Sequence, residues 1–345
     1  MKKLSLLILS GLQILTVAAQ SGRGGAYIQK SLSGLSIQQV SAETSGGNIS
    51  VTGVPDGEAR LEVYVRGNHN NEELSNEEIK KRLDEQFDVN ISTDNHKLVV
   101  SVRPHRNINW NKSLSVSFKI YAPEAVTTVL RTSGGNITMK KLTGSTQDFR
   151  TSGGNLDIDQ LTGKVMGRTS GGNINISDSK DDLDLTTSGG NIEATHCEGN
   201  LHFGTSGGDL KLRLLKGTIR ASTSGGNVRG EEIDGELNAR TSGGNIKMSD
   251  LTCSLNASTS GGDINVGFRD LGKYLELTNS SGNVTVQLPQ GKGLDLHISG
   301  DRVRVSSMAN FKGDMDEKHI DGTLNGGGMP VRVANNSGDV TLNFK

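Results

Sequence analysis

The side chains that could carry out chemistry are few and scattered along this chain of 345 residues. Its seven histidines include one close pair, His196 and His202, with Cys197 beside the first. Imidazole and thiolate groups are the usual protein ligands of zinc, so this trio is the first candidate for a metal site. Successive side chains of a strand point to opposite faces, which turns Cys197 inward and His202 outward. We therefore predict no metal and no cofactor.

A cluster of four aspartates is the second candidate. Carboxylate oxygens bind hard cations, and paired carboxylates can act in general acid–base catalysis. The four lie at one turn and are Asp178, Asp181, Asp182 and Asp184. Acidic residues so close together in sequence are typical of a solvated corner, and we predict no catalytic residue among them.

Two sets of basic residues recur at a fixed spacing, and these are the residues for which we predict binding. The arginine column is Arg131, Arg150 and Arg168, and the lysine–arginine column is Lys211, Arg229 and Lys247. Like charges stacked about 5 Å apart repel by roughly 1 kcal/mol even in water, so an anionic polymer would stabilise either column by neutralising it. Screening by neighbouring carboxylates such as Asp148 and Glu231 is the alternative. The spacing predicts that the two columns lie on opposite faces.

An internal repeat sets the spacing of these columns. Thr-Ser-Gly-Gly followed by Asn or Asp occurs nine times, and weaker copies follow near residues 279, 297 and 335. The nine copies start at Thr44, Thr132, Thr151, Thr169, Thr187, Thr205, Thr223, Thr241 and Thr259. From Thr151 onwards every step is 18 residues, so each repeat is one structural unit, here called a coil.

The apolar residues of each coil predict its local structure. With the repeat Thr as position 0, positions 5 and 14 are apolar in every regular copy, as with Ile174 and Leu183. Positions 7 and 16 are mostly apolar or small, and this alternation indicates two short strands with one buried face. Glycines at positions 2, 3 and 12 predict two turns. The predicted fold is therefore all-β, a parallel β-solenoid (β-helix) with about 18 residues and two strands per coil.

Position 4 of the repeat predicts a structural ladder. An amide or carboxylate side chain stacked in register can form hydrogen bonds between neighbouring coils. The members of this asparagine column are Asn136, Asn155, Asn173, Asn191, Asp209, Asn227, Asn245 and Asp263. Calcium-binding rolls also contain Gly-Gly-Asn, but their period is nine residues and their turns need Asp, so we predict no calcium.

The two cysteines are predicted to stay unpaired. Cys197 falls at position 10, a mostly apolar column, and Cys253 takes the place of the turn glycine at position 12. They lie three coils apart, or about 14 Å along the stack, which is beyond the reach of a disulfide.

The repeat also divides the chain. Residues 20–131 hold a single copy, and we predict an N-terminal β-rich capping segment with one short helix at about residues 76–87. Apolar residues recur every fourth position there, at Ile79, Leu83 and Phe87. Residues 132–345 are the predicted β-solenoid repeat domain.

Residues 1–19 have the pattern of a secretory signal peptide. Lys2 and Lys3 precede an apolar stretch that extends to Val17, and small residues follow for cleavage. A membrane anchor is the alternative, but the apolar stretch is short and interrupted. We predict an exported mature chain without a transmembrane segment, located in the periplasm, the outer cell envelope or the extracellular space.

Composition excludes several classes of protein. With 46 glycines but only 5 prolines the chain is not collagen-like. A formal net charge of −1 provides no general field for nucleic acid, and we predict no such partner. One Trp and four Tyr leave few rings on which sugars could stack.

The TSGGN repeat at 18-residue spacing, the signal-like N-terminus and the stretch Leu-Pro-Gln-Gly-Lys-Gly at 288–293 resemble a known family. This is the secreted bacterial putative-adhesin family, whose members carry β-strand repeats of the SGG[ND]I type. The resemblance extends over about residues 35–345. It implies a parallel β-solenoid in the cell envelope and defines no catalytic or binding residues.

We predict a non-enzymatic, exported β-solenoid that acts in adhesion or as an envelope scaffold through extended faces. Its expected partner is a cell-surface polymer or an envelope protein. Enzymes built on parallel β-helices use long loops to wall a cleft, and the turns between residues 151 and 262 are minimal. Two alternatives remain open: a protein that binds or processes polysaccharide, and an envelope-sensing accessory protein.

Overall fold

The computed structural model describes residues 25–67, 74–106, 113–306 and 308–345. These residues form 27 strands, one α-helix and one short 3-10 helix, and all the strands are hydrogen-bonded into a single continuous sheet. The predicted signal peptide lies outside the described residues. Within them, no helix is both long enough and apolar enough to cross a membrane.

Seven strands and both helices precede the regular repeats. The strands are β1 (Ile28–Ser31), β2 (Gln39–Thr44), β3 (Ile49–Val54), β4 (Arg60–Gly67), β5 (Phe87–Asp94), β6 (Lys97–Pro104) and β7 (Leu114–Pro123). The 3-10 helix is Asp56–Glu58, and α1 is Asn76–Gln86. The predicted helix is therefore confirmed.

The regular coils begin with nine short strands and continue with four long ones. The short strands are β8 (Thr127–Arg131), β9 (Ile137–Leu142), β10 (Thr146–Arg150), β11 (Leu156–Leu161), β12 (Lys164–Arg168), β13 (Ile174–Ser177), β14 (Lys180–Thr186), β15 (Ile192–Thr195) and β16 (Glu198–Gly204). The long strands are β17 (Leu210–Ser222), β18 (Val228–Arg240), β19 (Ile246–Thr259) and β20 (Ile264–Asn279). Each long strand includes both sides of a coil.

The strands pair in parallel into two stacks. The first stack contains β9, β11, β13, β15 and the first parts of β17–β20, all of which follow the Thr-Ser-Gly-Gly corner. The second stack contains β8, β10, β12, β14, β16 and the later parts of β17–β20, all of which precede that corner. The prediction of a parallel β-solenoid with two strands per coil is confirmed.

Residues one coil apart are register partners, so the core is built in columns. Ile174 lies beside Ile192 in the first stack, and Leu183 lies beside Leu201 in the second. All four are buried, as the positions 5 and 14 of the repeat predicted. Complete burial of such a side chain stabilises the folded state by about 1.5–3 kcal/mol, and every coil of the stack contributes side chains of this kind.

The Thr-Ser-Gly-Gly corner needs its second glycine for space. A Cβ atom added at Gly172 would lie 1.9 Å from the carbonyl oxygen of Gly154 in the preceding coil, whereas at Gly171 the nearest atom is 3.7 Å away. Neither glycine has a positive φ. The requirement at this corner is therefore the close approach of two backbones.

The opposite end of each coil bends at two positions, where the sequence predicted one. Glycines at position 12, such as Gly199 and Gly217, have φ of 128° and 119°. Position 9 is also left-handed although no glycine occupies it. Its residues have φ between 50° and 58° and are Lys141, Gln160, Asp178, His196, Leu214, Glu232 and Asp250. A left-handed conformation costs an L-residue about 1–2 kcal/mol and is routinely adopted only by glycine. Because position 9 has no glycine, its residue types gave no indication of the bend.

At the N-terminal end, the first coil in sequence is not the outermost coil in space. Strand β2 lies between β6 and β8, and β3 lies between β7 and β9, all in parallel. Beyond β6 and β7 the sheet continues with antiparallel strands β5, β4 and β1. Helix α1 adds buried Ile79 and Leu83 to the core at this end. The domain boundary at residue 131 stays a prediction.

The C-terminal end has the same kind of insertion. Its strands are β21 (Val284–Leu288), β22 (Leu294–Ser299), β23 (Arg302–Val305), β24 (Phe311–Met315), β25 (His319–Leu324), β26 (Met329–Asn335) and β27 (Asp339–Phe344). Strand β26 lies between β20 and β22, and β27 lies between β21 and β23. The last coil in sequence is therefore next to last in space, and antiparallel β25 and β24 follow beyond β22.

Candidate polymer-binding groove

Three neighbouring short strands of the second stack end in an arginine, and these arginines are register partners. Arg131 closes β8, Arg150 closes β10 and Arg168 closes β12. Arg150 lies beside both of the others. Each residue directly precedes a buried repeat Thr, so strand alternation points its side chain to solvent. The structure thus brings together the three residues of the arginine column.

A shallow groove of about 530 Å³ follows this column over four coils. It is lined by Arg131, Thr132, Arg150, Thr151, Ser152, Arg168, Thr169, Ser170, Thr186, Thr187 and Ser188. It is an open depression formed by side chains and the Thr-Ser corner without any long loop, so it differs from the loop-walled cleft that the minimal turns argued against. We call it the arginine groove.

The first arginine of the groove is held by the protein itself. The guanidinium of Arg131 donates to the carbonyl oxygens of Leu130 and Asp148, at 2.8 and 3.1 Å, and to the carboxylate of Asp148. Asp148 is only 19% exposed at its side chain. Three hydrogen bonds fix this guanidinium against the strand, so it lines the groove in a set orientation.

The middle arginine has its donors free. Arg150 lies with its Nε 3.6 Å from Oδ1 of Asp148, which is an ion pair but too long for a hydrogen bond. That carboxylate oxygen is buried and has no hydrogen-bond partner. The guanidinium of Arg150 donates no hydrogen bond to the residues that the structure describes, and its side chain is 53% exposed. Its planar set of N–H donors therefore has no protein acceptor in the described part of the chain and is open to solvent at the groove.

The third arginine shares its carboxylate with a histidine. Arg168 donates a long hydrogen bond of 3.5 Å to Oδ2 of Asp184, while Nδ1 of His202 lies 2.8 Å from the other oxygen. The groove is therefore lined by three guanidinium groups, and two carboxylates, those of Asp148 and Asp184, lie within ion-pair distance of them. One positive charge is left for a ligand.

Threonine and serine play different parts in the wall of the groove. The repeat threonines are buried, and Thr169 Oγ1 donates a 2.8 Å hydrogen bond to the carbonyl oxygen of Gly154. The serines that follow are exposed, and the hydroxyls of Ser152, Ser170 and Ser188 form no hydrogen bond with other described residues. Their backbone N–H groups are already satisfied, as when Ser170 donates to the carbonyl oxygen of Ser152. We call these exposed residues the serine row.

A comparison with protein families agrees with this architecture. The sequence matches the family described as Toastrack DUF4097 twice, over residues 34–238 and over residues 235–343. The chain belongs to the Toastrack family.

Two solved structures are similar to this Toastrack chain. One is a putative cell adhesion protein from Clostridium sporogenes ATCC 15579, with 10% identity, a TM-score of 0.20, and coverage of 92% of this chain and 98% of that one. The other is a putative adhesin from Bacteroides fragilis NCTC 9343, with 13% identity, a TM-score of 0.24, and coverage of 92% and 95%. Among curated proteins, none matches the sequence.

The lysine–arginine column of the Toastrack chain lies on the first stack. Lys211, Arg229 and Lys247 are register partners on β17, β18 and β19. Lys211 donates to Glu193 at 2.9 Å, and Arg229 donates to Asp209 at 2.7 Å. Carboxylates therefore lie beside two of the three cations, as the screening alternative expected, but they belong to Glu193 and Asp209 and not to Glu231. These residues stand on an open strand face and do not line the arginine groove.

The asparagine column joins successive coils through side-chain oxygens. In each step the Oδ1 atom of one member accepts a hydrogen bond from the backbone N–H of the next member. Asn173 N–H donates to Asn155 in this way, and Asp209 N–H donates to Asn191, both at 2.8 Å. The contacts continue along Asn136, Asn155, Asn173, Asn191, Asp209, Asn227, Asn245 and Asp263. The donor at each step is thus the backbone N–H, and at Asn227 the side-chain amide also donates to Asp209, at 3.2 Å.

The remaining chemical candidates are kept apart by the Toastrack fold. Cys197 and Cys253 are both buried and unpaired, and burial raises their pKa values to about 11 and about 12. His196 and His202 are exposed, and each faces an aspartate of the preceding coil. In the described part of the chain no three His, Cys, Asp or Glu residues are grouped as a metal site would require.

The predicted aspartate cluster is also spread over separate contacts. Asp178 faces His196, Asp181 accepts the backbone N–H of Gly163, and Asp182 accepts from the amide of Asn200. Each carboxylate thus has its own partner on a neighbouring coil. No two of these three carboxylates contact the same partner.

Sequence reasoning overlooked the threonine hydroxyls, the serine row and the difference between the three arginines. The threonines and serines were visible as invariant letters of the repeat, and their burial and exposure follow from the corner that they occupy. The free donors of Arg150 had no sequence signal, because they depend on the distance from Asp148.

Proposed function

We propose that this chain is an exported, non-enzymatic β-solenoid that serves adhesion or envelope scaffolding by binding an anionic polymer in the arginine groove. The observation that carries the proposal is the guanidinium of Arg150, which lies between two other arginines and has no hydrogen-bond acceptor among the described residues. Charge-assisted hydrogen bonds from a guanidinium are about twice as strong as neutral ones, so such donors favour an anionic ligand.

The shape of the groove supports a polymer over a small molecule. The groove is open and extends over four coils, and its arginines repeat once per coil. Adhesion through a repeated surface needs many weak contacts in a line, and a solenoid presents such a surface along its length. The lysine–arginine column is a secondary candidate, since Lys247 has no carboxylate within salt-bridge distance among the described residues.

The proposed location follows from the sequence pattern of residues 1–19. A cell-surface or envelope polymer would meet an exported chain in the periplasm, in the outer envelope or outside the cell. The partner is a surface polymer or an envelope protein that carries one.

The test is affinity chromatography on agarose coupled to an anionic polysaccharide. The variant R131A/R150A/R168A is expected to elute at lower salt than the wild type, because it removes all three cations of the groove. The matched control is K211A/R229A/K247A, which lowers the net charge by the same amount on the other stack. We expect it to elute near the wild type.

Two results oppose the proposal. Equal elution of the wild type and the arginine variant would exclude the groove as the binding site. Equal loss in both variants would show that retention reports overall charge. Circular dichroism of both variants checks that the β-structure is intact.

A further inference from the structure

We propose that the ligand of the arginine groove is a linear polysaccharide that contains uronic acid and lies parallel to the stack of coils. This inference rests on the proposed function and names the chemical class of the polymer. It is carried by the serine row, which lies beside the arginines and adds a second kind of contact.

The serine row offers neutral hydrogen bonds at the spacing of the charges. Ser152, Ser170 and Ser188 line the groove together with the arginines, and their hydroxyls have no partner among the described residues. The adjacent threonine hydroxyls are already used, since Thr151 and Thr187 donate to glycine carbonyls at 2.8 Å. The groove is therefore lined both by guanidinium groups and by free hydroxyls.

A ligand must repeat at the distance between coils to meet both rows. Neighbouring parallel strands lie about 4.8 Å apart, so the four coils of the groove extend over about 14 Å. A six-membered sugar ring is about as long as one coil is thick, and a uronic acid has one carboxylate and several hydroxyls. The sugar at the coil of Arg150 can then place its carboxylate at that guanidinium, while its neighbours place their hydroxyls at the serines.

Other polyanions match these rows less well. An extended acidic peptide places side chains of one face about 6.8 Å apart, and it has no hydroxyls for the serines. Duplex DNA carries its phosphates about 3.4 Å apart along each strand. Proteins that bind single-stranded nucleic acid stack bases on aromatic rings, and no ring lines this groove.

Arginine in all three positions supports a carboxylate. The guanidinium group forms two parallel hydrogen bonds with a carboxylate, which a lysine ammonium group cannot do. Within the groove Arg131 and Arg168 already bind carboxylates of the protein, from Asp148 and Asp184. Each of them gives a single hydrogen bond to its carboxylate, whereas Arg150 has no acceptor among the described residues and can offer paired donors to a carboxylate from outside.

The experiment is isothermal titration of the full chain with three polyanions: polygalacturonate, poly-L-glutamate and dextran sulfate. The variant S152A/S170A/S188A removes the hydroxyls of the groove, and S206A/S224A/S242A removes the same row outside it. All six serines are exposed, so both variants should fold. We expect the first variant to weaken polygalacturonate binding about tenfold and to leave poly-L-glutamate unchanged. The second variant should bind both polymers as the wild type does.

A length series sharpens the result. Oligogalacturonates should gain affinity up to about four sugars and little beyond, since the groove covers four coils. R150K should bind polygalacturonate several-fold more weakly than the wild type, because it keeps the charge and loses the paired donors.

The possible failures are distinguishable. If the wild type binds polygalacturonate but the first serine variant binds it equally well, the polysaccharide assignment is overturned and the proposed function stands. Tighter binding of dextran sulfate overturns the choice of carboxylate. If none of the three polyanions binds, the proposed function itself is overturned.

Discussion

The hydroxyl of Thr187 donates a 2.8 Å hydrogen bond to the carbonyl oxygen of Gly172 in the preceding coil. It also accepts the backbone N–H of Gly190 in its own coil, at 3.3 Å. One buried hydroxyl thus satisfies two backbone groups at a corner where the strands have ended. The same contacts recur in each regular coil, which explains why the repeat begins with Thr.

Replacement of this threonine by the isosteric valine should destabilise the protein. T187V leaves the buried carbonyl oxygen of Gly172 and the N–H of Gly190 without a partner, at a cost of about 1–3 kcal/mol for each such group. T187S keeps the hydroxyl and should cost less. Urea denaturation measures both, and a T187V variant as stable as T187S would contradict this account.

The two glycines of one corner should tolerate alanine very differently. G172A places a Cβ 1.9 Å from a backbone carbonyl of the neighbouring coil, whereas G171A has 3.7 Å of space. We expect G172A to lose about 4 kcal/mol or more, or to fail to fold, and G171A to lose about 1 kcal/mol or less. Thermal unfolding of the pair is the measurement, and similar midpoints would show that backbone approach is not what requires the second glycine.

The asparagine column should contribute to stability through its acceptor oxygen. N191A removes the acceptor for the backbone N–H of Asp209 and should lower the free energy of unfolding by about 1–2 kcal/mol. N191D keeps an acceptor, as Asp209 does naturally one coil later, and should lose less. If N191A unfolds at the same urea concentration as the wild type, the column has no structural role at this coil.

The two thiols should be inert in the folded protein. Burial raises the pKa of Cys197 to about 11 and that of Cys253 to about 12, from an ordinary value of 9.0. Iodoacetamide at pH 8 should label neither thiol until urea is added. A crosslink between them in non-reduced protein, detected by mass spectrometry, would contradict their separation in the stack.

The same shifts predict how stability depends on alkaline pH. Above pH 9 the unfolded chain releases its thiol protons while the folded chain retains them, so the free energy of unfolding should fall as the pH rises toward 11. C197A/C253A should show a smaller fall over the same interval. An identical fall in both proteins would assign the effect to other groups.

Much of the fold was predictable because a repeat converts residue types into spatial columns. Positions such as Ile174 and Leu183 alternate with polar residues and recur every 18 residues, which is sufficient to indicate two strands and a parallel stack. The insertion of β2 and β26 between coils that are neighbours in sequence was not predictable. It depends on pairing between distant segments, for which the local pattern contains no signal.

The site was predictable only in part. The register of the arginine column followed from the repeat, but the groove beside it depends on the shape of the Thr-Ser corner. The unequal roles of Arg131 and Arg150 depend on the orientation of a single carboxylate, Asp148, relative to the two guanidinium groups. Angles and distances of this kind are set by packing and not by residue type.

The most direct test of the central claim is to observe the arginine side chains themselves. In a nuclear magnetic resonance titration with polygalacturonate, the Nε–Hε resonance of Arg150 should shift until saturation, because its free N–H groups form hydrogen bonds with the polymer. Arg240 directly precedes the repeat threonine Thr241, as Arg150 precedes Thr151, but it lies outside the groove and should not shift. If the polymer binds while the resonance of Arg150 stays in place, or if both arginines shift equally, the arginine groove is not the binding site.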